Sequence, residues 1–146
     1  MMVIPFEVDH CLEMVPREQD LKFFSLADWQ SRVKALGAMG PAFTLVTNDE
    51  DVVASAGVCV PWPGVGEAWA LTSNLVDSCP LIFAKSVKKI LGMCIEIEGL
   101  HRVQATDLAE GGVGERWFRF LGFDHAVRLR RYAPNGQDCI MYARVL

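Results

Sequence analysis

Short alternating apolar runs and longer stretches at helical spacing follow one another along the chain. Val3 to Val8 predicts a first strand, and Pro5 makes it an edge or bulged one. Helical spacing follows in two pieces. One covers about Cys11 to Phe24, interrupted or started at Pro16. The other covers about Ala27 to Leu36, with Trp29, Val33 and Leu36 on one face, and Gly37, Gly40 and Pro41 end it. Phe43–Thr47 and Val52–Val60 read as a hairpin across the polar turn Asn48-Asp49-Glu50-Asp51. Pro61-Trp62-Pro63-Gly64-Val65-Gly66 breaks the chain, and Glu67–Thr72 is the next strand.

The longest helix is predicted over Pro80–Glu98. Proline suits the first helical position, Asp77 and Ser78 stand where they can cap free N–H groups, and Gly99 stops it. Leu81, Val87, Lys88, Leu91 and Ile95 follow helical spacing, with Lys85, Lys88 and Lys89 toward water. A strand at His101–Thr106 and a helix at about Val113–Leu121 come next. Two C-terminal strands follow, joined through Ala133-Pro134-Asn135-Gly136, where Asn-Gly is a hairpin signal. The predicted order is β-α-α-β-β-β-α-β-α-β-β, an α/β (α+β) chain with a mixed sheet flanked by helices.

At 146 residues the chain is expected to form one domain, residues 1–146, able to bury roughly 68–70% of its unfolded surface. A net charge of −4 argues against nucleic acid as a general partner, because such binding needs a basic face. Five cysteines at wide spacing, with no C-x-x-C, read as reduced thiols in a cytoplasmic protein. No signal peptide and no membrane span are expected. The three histidines are far apart and show no metal-ligand spacing, so no metal is expected.

One stretch carries most of the information: Arg116-Trp117-Phe118-Arg119-Phe120-Leu121-Gly122-Phe123, between the strand His101-Arg102-Val103-Gln104-Ala105-Thr106-Asp107 and the basic-apolar run Val127-Arg128-Leu129-Arg130-Arg131-Tyr132. A strand, a short aromatic helix ending in Leu-Gly-Phe and a further strand resemble the C-terminal half of the GNAT superfamily, the acyl-CoA N-acyltransferases. The predicted order matches that fold over nearly the whole chain. The resemblance implies a sheet splayed between the fourth and fifth strands. It implies acetyl-CoA as donor, with the pantetheine arm in the wedge and the pyrophosphate at the start of the long helix. Ala70, Leu71, Thr72, Ser73, Asn74 and Ser78 are then the cofactor-binding positions. The acceptor would be a small-molecule or protein amine, and a homodimer stays open.

The chain departs from the family at two places. The Gln/Arg-x-x-Gly-x-Gly/Ala loop is replaced by Thr72-Ser73-Asn74-Leu75-Val76-Asp77-Ser78-Cys79-Pro80, without glycine or arginine. Aligned on Gly122-Phe123, Phe118 takes the place of the tyrosine that protonates the leaving thiolate, and Gly111 and Gly114 replace an Asn and an Ala. Glu67 is the first candidate for the general base and Asp107 the second, set against solvated strand-end carboxylates. Trp62, Trp69 and Trp117 read as core or rim, or as an acceptor pocket. Arg128, Arg130 and Arg131 read as a solvated face or an anion site. Gly111-Gly112-Val113-Gly114 reads as a flexible helix entrance.

The same tail, with Gly66-Glu67-Ala68-Trp69-Ala70-Leu71-Thr72-Ser73, is similar to a phage-encoded GNAT-like group. That group includes small acetyltransferases and internal virion proteins and lacks the glycine loop. The resemblance implies a rival function as a catalytically degenerate virion or host-interaction component.

Overall fold

The computed structural model describes residues 1–24 and 28–146, the side chains of residues 22–24 excepted. Seven strands form one sheet: β1 (Met2–Pro5), β2 (Ala42–Val46), β3 (Val52–Trp62), β4 (Val65–Thr72), β5 (Arg102–Leu108), β6 (His125–Leu129) and β7 (Cys139–Val145). Their spatial order is β1-β2-β3-β4-β5-β7-β6. Among the described residues five α-helices flank them: α1 (Val8–Glu13), α2 (Glu18–Phe24), α3 (Trp29–Ala38), α4 (Pro80–Glu98) and α5 (Glu115–Phe120).

Among the described residues three helices, rather than two, precede β2. Pro16 divides the first piece, and the chain there is extended, bridging to Ser73 at the end of β4. The predicted start of the next helix at Ala27 lies outside the described residues; α3 is described from Trp29. The edge position predicted from Pro5 is met, since β1 pairs only with β2. Proline is tolerated there because the outer edge needs no ladder donor. The break predicted over residues 61–66 shrinks to Pro63-Gly64, because Trp62 pairs with Val65 and closes the hairpin.

Strand alternation sends successive side chains to opposite faces and makes two cores. On one face Trp69 and Leu71 pack with Cys11, Met14 and Val33 from α1, its C-terminal flank and α3. On the other, Val58, Val103 and Ala105 pack with Ile90, Leu91 and Cys94 of α4 and Phe118 of α5. α4 spans the predicted residues, and Gly99 ends it at φ +59°, a left-handed conformation that glycine takes without a Cβ penalty. Its buried stripe is Phe83, Ile90, Leu91 and Cys94. Leu81, placed on that stripe by the sequence reading, is 75% exposed. Six residues separate it from Val87, about 240° around the helix, so the two cannot share a face.

Asp77 and Ser78 do not cap α4. They belong to a 3-10 turn over Asn74–Ser78, and the N-cap residue is Cys79, without a side-chain cap. At the C-terminus, β6 and β7 are antiparallel as expected, but residues 130–138 join them as a long loop. Asn135 accepts from the Gln137 N–H inside that loop instead of forming a two-residue turn. Arg130 lies beyond the strand end and does not share a β6 face with Arg128.

Phe118 is 7% exposed, stacked on Tyr142 at 4.1 Å and edge-on to Phe123 at 5.6 Å. Phe118→Ala should cost about 3–5 kcal/mol, read as a lower urea midpoint at unchanged slope. An unchanged midpoint would mean that the ring does not hold α5 to the sheet.

Candidate functional site

β4 and β5 are parallel, as the crossover through α4 requires, but they pair only at Val65–Arg102, Gly66–Val103 and Glu67–Gln104. Beyond Glu67 no pair joins them. β5 continues beside β7 along its whole length, from Arg102–Val145 to Leu108–Cys139, so β4 is the strand that leaves. A cavity of about 470 Å³ opens in the gap and reaches both faces of the sheet.

On the α4–α5 face its walls are apolar: Ala68, Phe83, Val87, Leu91, Trp117 and Phe118. Phe83 and Trp117 stack at 5.5 Å with their planes 3° apart, so an aromatic pair spans the two helices beside the cavity. On the α1–α3 face the walls include Glu67, Trp69, Thr106, Leu108 and Leu36. Arg17, Asp20, Asp77 and Asp107 complete the lining. Among the described lining residues Arg17 is the only cation, set against four carboxylates, and it lies 3.7 Å from Asp77.

Asp20 carries no signal in the sequence pattern. An acid in the first turn of a helix is ordinary complement to the helix dipole, so nothing in the pattern marks it. In the fold its Oδ2 accepts from the Thr72 N–H and the Thr72 hydroxyl, each at 2.7 Å. The Thr72 carbonyl accepts from the Arg17 N–H at 2.8 Å. Burial raises the Asp20 carboxyl, opposed by the Thr72 hydrogen bonds and Arg17 and reinforced by Asp107.

Glu67, the first candidate base, is half-buried at the vertex of the wedge, and burial raises its carboxyl. Asp107 lines the cavity and accepts from the Gly114 N–H at 3.1 Å. Burial raises it, and backbone N–H groups around it pull the other way. Gly112 has no Cβ to collide with this carboxylate. The glycine cluster therefore forms a loop folded around Asp107 at the entrance to α5.

The six positions expected to meet a cofactor separate. Ala70 and Thr72 line the cavity. The Ser73 N–H donates to Val53 of β3, so the Thr72 amide points away from β3 into the wedge, and Ala70 two residues earlier points with it. Leu71 is fully buried in the core under α1 and α3. The Ser73 hydroxyl donates to the Val52 and Val53 carbonyls. Asn74 and Ser78 are exposed on the 3-10 turn. Of the tryptophans, Trp69 and Trp117 line the cavity, while Trp62 is 61% exposed at the β3–β4 turn. Arg128 and the Arg131 N–H are held by Asp138.

Among the described residues two buried side-chain polar atoms have no partner, Trp69 Nε1 and Thr106 Oγ1, and both residues line the cavity. Each is a group whose desolvation a ligand would offset. No metal-holding cluster occurs among the described residues. His10 accepts from the Glu7 N–H, and His125 contacts Asp124. All five cysteines are free, and burial pushes Cys11 and Cys94 up to about 11, away from the reactive thiolate form. No helix of the described residues is long and apolar enough to cross a membrane.

The fold is that of the GNAT acetyltransferases. A GNAT-family acetyltransferase from Bacillus anthracis superposes with a TM-score of 0.71 at 15% identity, over 98% of this chain and 93% of its own. A ribosomal-protein-alanine N-acetyltransferase from Brucella melitensis gives 0.72 at 16%, over 100% of both chains. A spermidine N-acetyltransferase from Vibrio cholerae gives 0.70 at 12%, over 99% and 95%. No family model matches the chain, and no curated protein matches it in sequence.

Because the folded Glu67 pKa lies above its unfolded value near 4.5, its contribution to stability is full below that value. It is lost as pH rises through the higher folded pKa. Urea unfolding from about pH 4 to about pH 8 should therefore show Glu67→Gln gaining on the parent with rising pH. A constant difference would mean that Glu67 is not desolvated.

Proposed function

We propose that this chain transfers an acyl group from a thioester to a primary amine. The observation that carries the reading is the wedge: two parallel strands that part after three pairs, with a cavity between them and a desolvated carboxylate at the vertex. The residues fit the arm of an acyl thioester. Apolar walls on the α4–α5 face suit its methylenes, and the Ala70 peptide points where an amide could pair with it. Such a donor supplies an activated acyl carbon.

The α1–α3 face then holds the amine. Asp20 and Glu67, joined by Asp107 from the α4–α5 face of β5, favour a cationic amine and disfavour an acidic one. Trp69 Nε1–H and Thr106 Oγ1 offer hydrogen bonds to a carbonyl or hydroxyl on the same molecule. The Vibrio cholerae neighbour is a spermidine N-acetyltransferase, an enzyme whose substrate is a cationic amine. Glu67 receives the proton that the amine loses as its nitrogen bonds to the acyl carbon, directly or through one water. Its raised pKa brings it closer to the working range of a general base. The carbon–sulfur bond breaks and sulfur leaves with its electron pair. Phe118 cannot protonate it, so that proton comes from water, at a cost limited by the modest basicity of thiolates.

Phe118 and the missing glycine loop favour a second reading, a protein of this fold that has lost the chemistry and acts as a phage virion or host-interaction component. Saturating thioester distinguishes the two. A donor at about 100 times its dissociation constant stabilises by about 2.7 kcal/mol. A clear rise in melting temperature supports the transferase; no rise, with no turnover over a broad amine panel, supports the second reading. In an active parent, Glu67→Gln should lower kcat about 10²–10⁴-fold. Equal turnover would remove Glu67 from the mechanism and leave Asp107.

A further inference from the structure

The two halves of a coenzyme A site fare differently in this fold. The half that would meet the arm is present: the open wedge, the Ala70 peptide and an apolar wall from Phe83 to Trp117. At the half that would meet the nucleotide diphosphate, several backbone donors are already taken by the protein itself. In the 3-10 turn, the Leu75 N–H is taken by Ser73 Oγ at 3.3 Å and the Val76 N–H by the Ser73 carbonyl at 3.2 Å. The Cys79 N–H is taken by the Val76 carbonyl at 3.1 Å, and Pro80 has no N–H.

Two first-turn donors, Leu81 and Ile82 N–H, lie within the part of α4 that has no intrahelical partner. Their surroundings are wrong for an anion. Leu81 and Ile82 are 75% and 52% exposed, and an exposed Leu75 adds to this apolar shoulder. The Asp77 side chain, 66% exposed, places a negative charge in the turn that leads into the helix. Arg17, which could have answered a phosphate, faces Asp77. The lysines of α4 begin at Lys85, more than a turn beyond Pro80, and Lys88 sits over the Phe120 ring at 4.9 Å.

We infer that the donor site reads the acyl-pantetheine arm and not the nucleotide of coenzyme A, so that an acyl-pantetheine thioester without a nucleotide serves as well as acetyl-CoA. The inference rests on the acyltransferase reading above. The mismatch lies in particular residues: a turn whose Leu75, Val76 and Cys79 N–H groups are bonded within the protein, a carboxylate in the turn that leads into α4, and exposed aliphatic side chains beside the two remaining donors.

Calorimetric titration of the free protein with pantetheine and with coenzyme A tests it, together with turnover of S-acetylpantetheine against acetyl-CoA. The expected result is dissociation constants within about threefold of each other, and kcat/KM values equally close. Binding of coenzyme A should also weaken little with added salt, because no phosphate is held. Coenzyme A binding more than about a hundredfold tighter than pantetheine, or turnover confined to acetyl-CoA, overturns the inference and leaves the acyltransferase reading standing. Neither compound binding and neither thioester turning over overturns both.

Discussion

The ending of the β4–β5 ladder at Glu67–Gln104 is the constraint on which the site depends. A parallel pair that kept zipping would bury its polar backbone in hydrogen bonds and leave no space between the strands. Two features hold the opening. β5 is tied to β7 over seven residue pairs, so it cannot follow β4. The far end of β4 is tied elsewhere, since Thr72 gives its N–H to Asp20 and its carbonyl to Arg17. The extended link at Pro16 therefore does more than separate two helices. It supplies the backbone partner that satisfies the end of a strand which has lost its neighbour.

Charge follows from the same opening. Asp20, Glu67 and Asp107 line one cavity, and burial raises all three carboxyls. Their situations differ. Asp20 is held by Thr72 and Asp107 by the loop at Gly114, so each has a structural partner that consumes acceptor capacity. Glu67 is raised by burial alone. On the proposed reading that difference ranks Glu67 first as proton acceptor, because a carboxylate committed to backbone donors is held toward its charged form and is the weaker base.

Much of the architecture was legible because it is local. Pro80 and Gly99 bracket α4 by backbone chemistry that needs no partner, and the strand-helix-strand crossover around them dictates a parallel pair. Phe118 stands in an aromatic run interrupted by Arg119, and it is the ring of that run which is buried. What failed depended on tertiary placement. Asp77 and Ser78 are sound capping residues in a sequence, but a 3-10 turn takes them away from the helix end. Asp20 reaches Thr72 across 52 positions, which no periodicity encodes. The unpartnered Trp69 indole is likewise visible only once its neighbours are known. The candidate site was thus half readable: Glu67 and Asp107 from their strands, Asp20 and Arg17 only from the fold.

Amide hydrogen exchange at Ala70 tests the central claim most directly. The account predicts that this N–H exchanges readily in the free protein, while the neighbouring Thr72 N–H is protected by Asp20. Saturating pantetheine should protect Ala70 and leave Thr72 as it was. An Ala70 amide already as protected as those of β3 in the free protein would contradict the account, because the strands would then be closed and no wedge would exist to receive a donor.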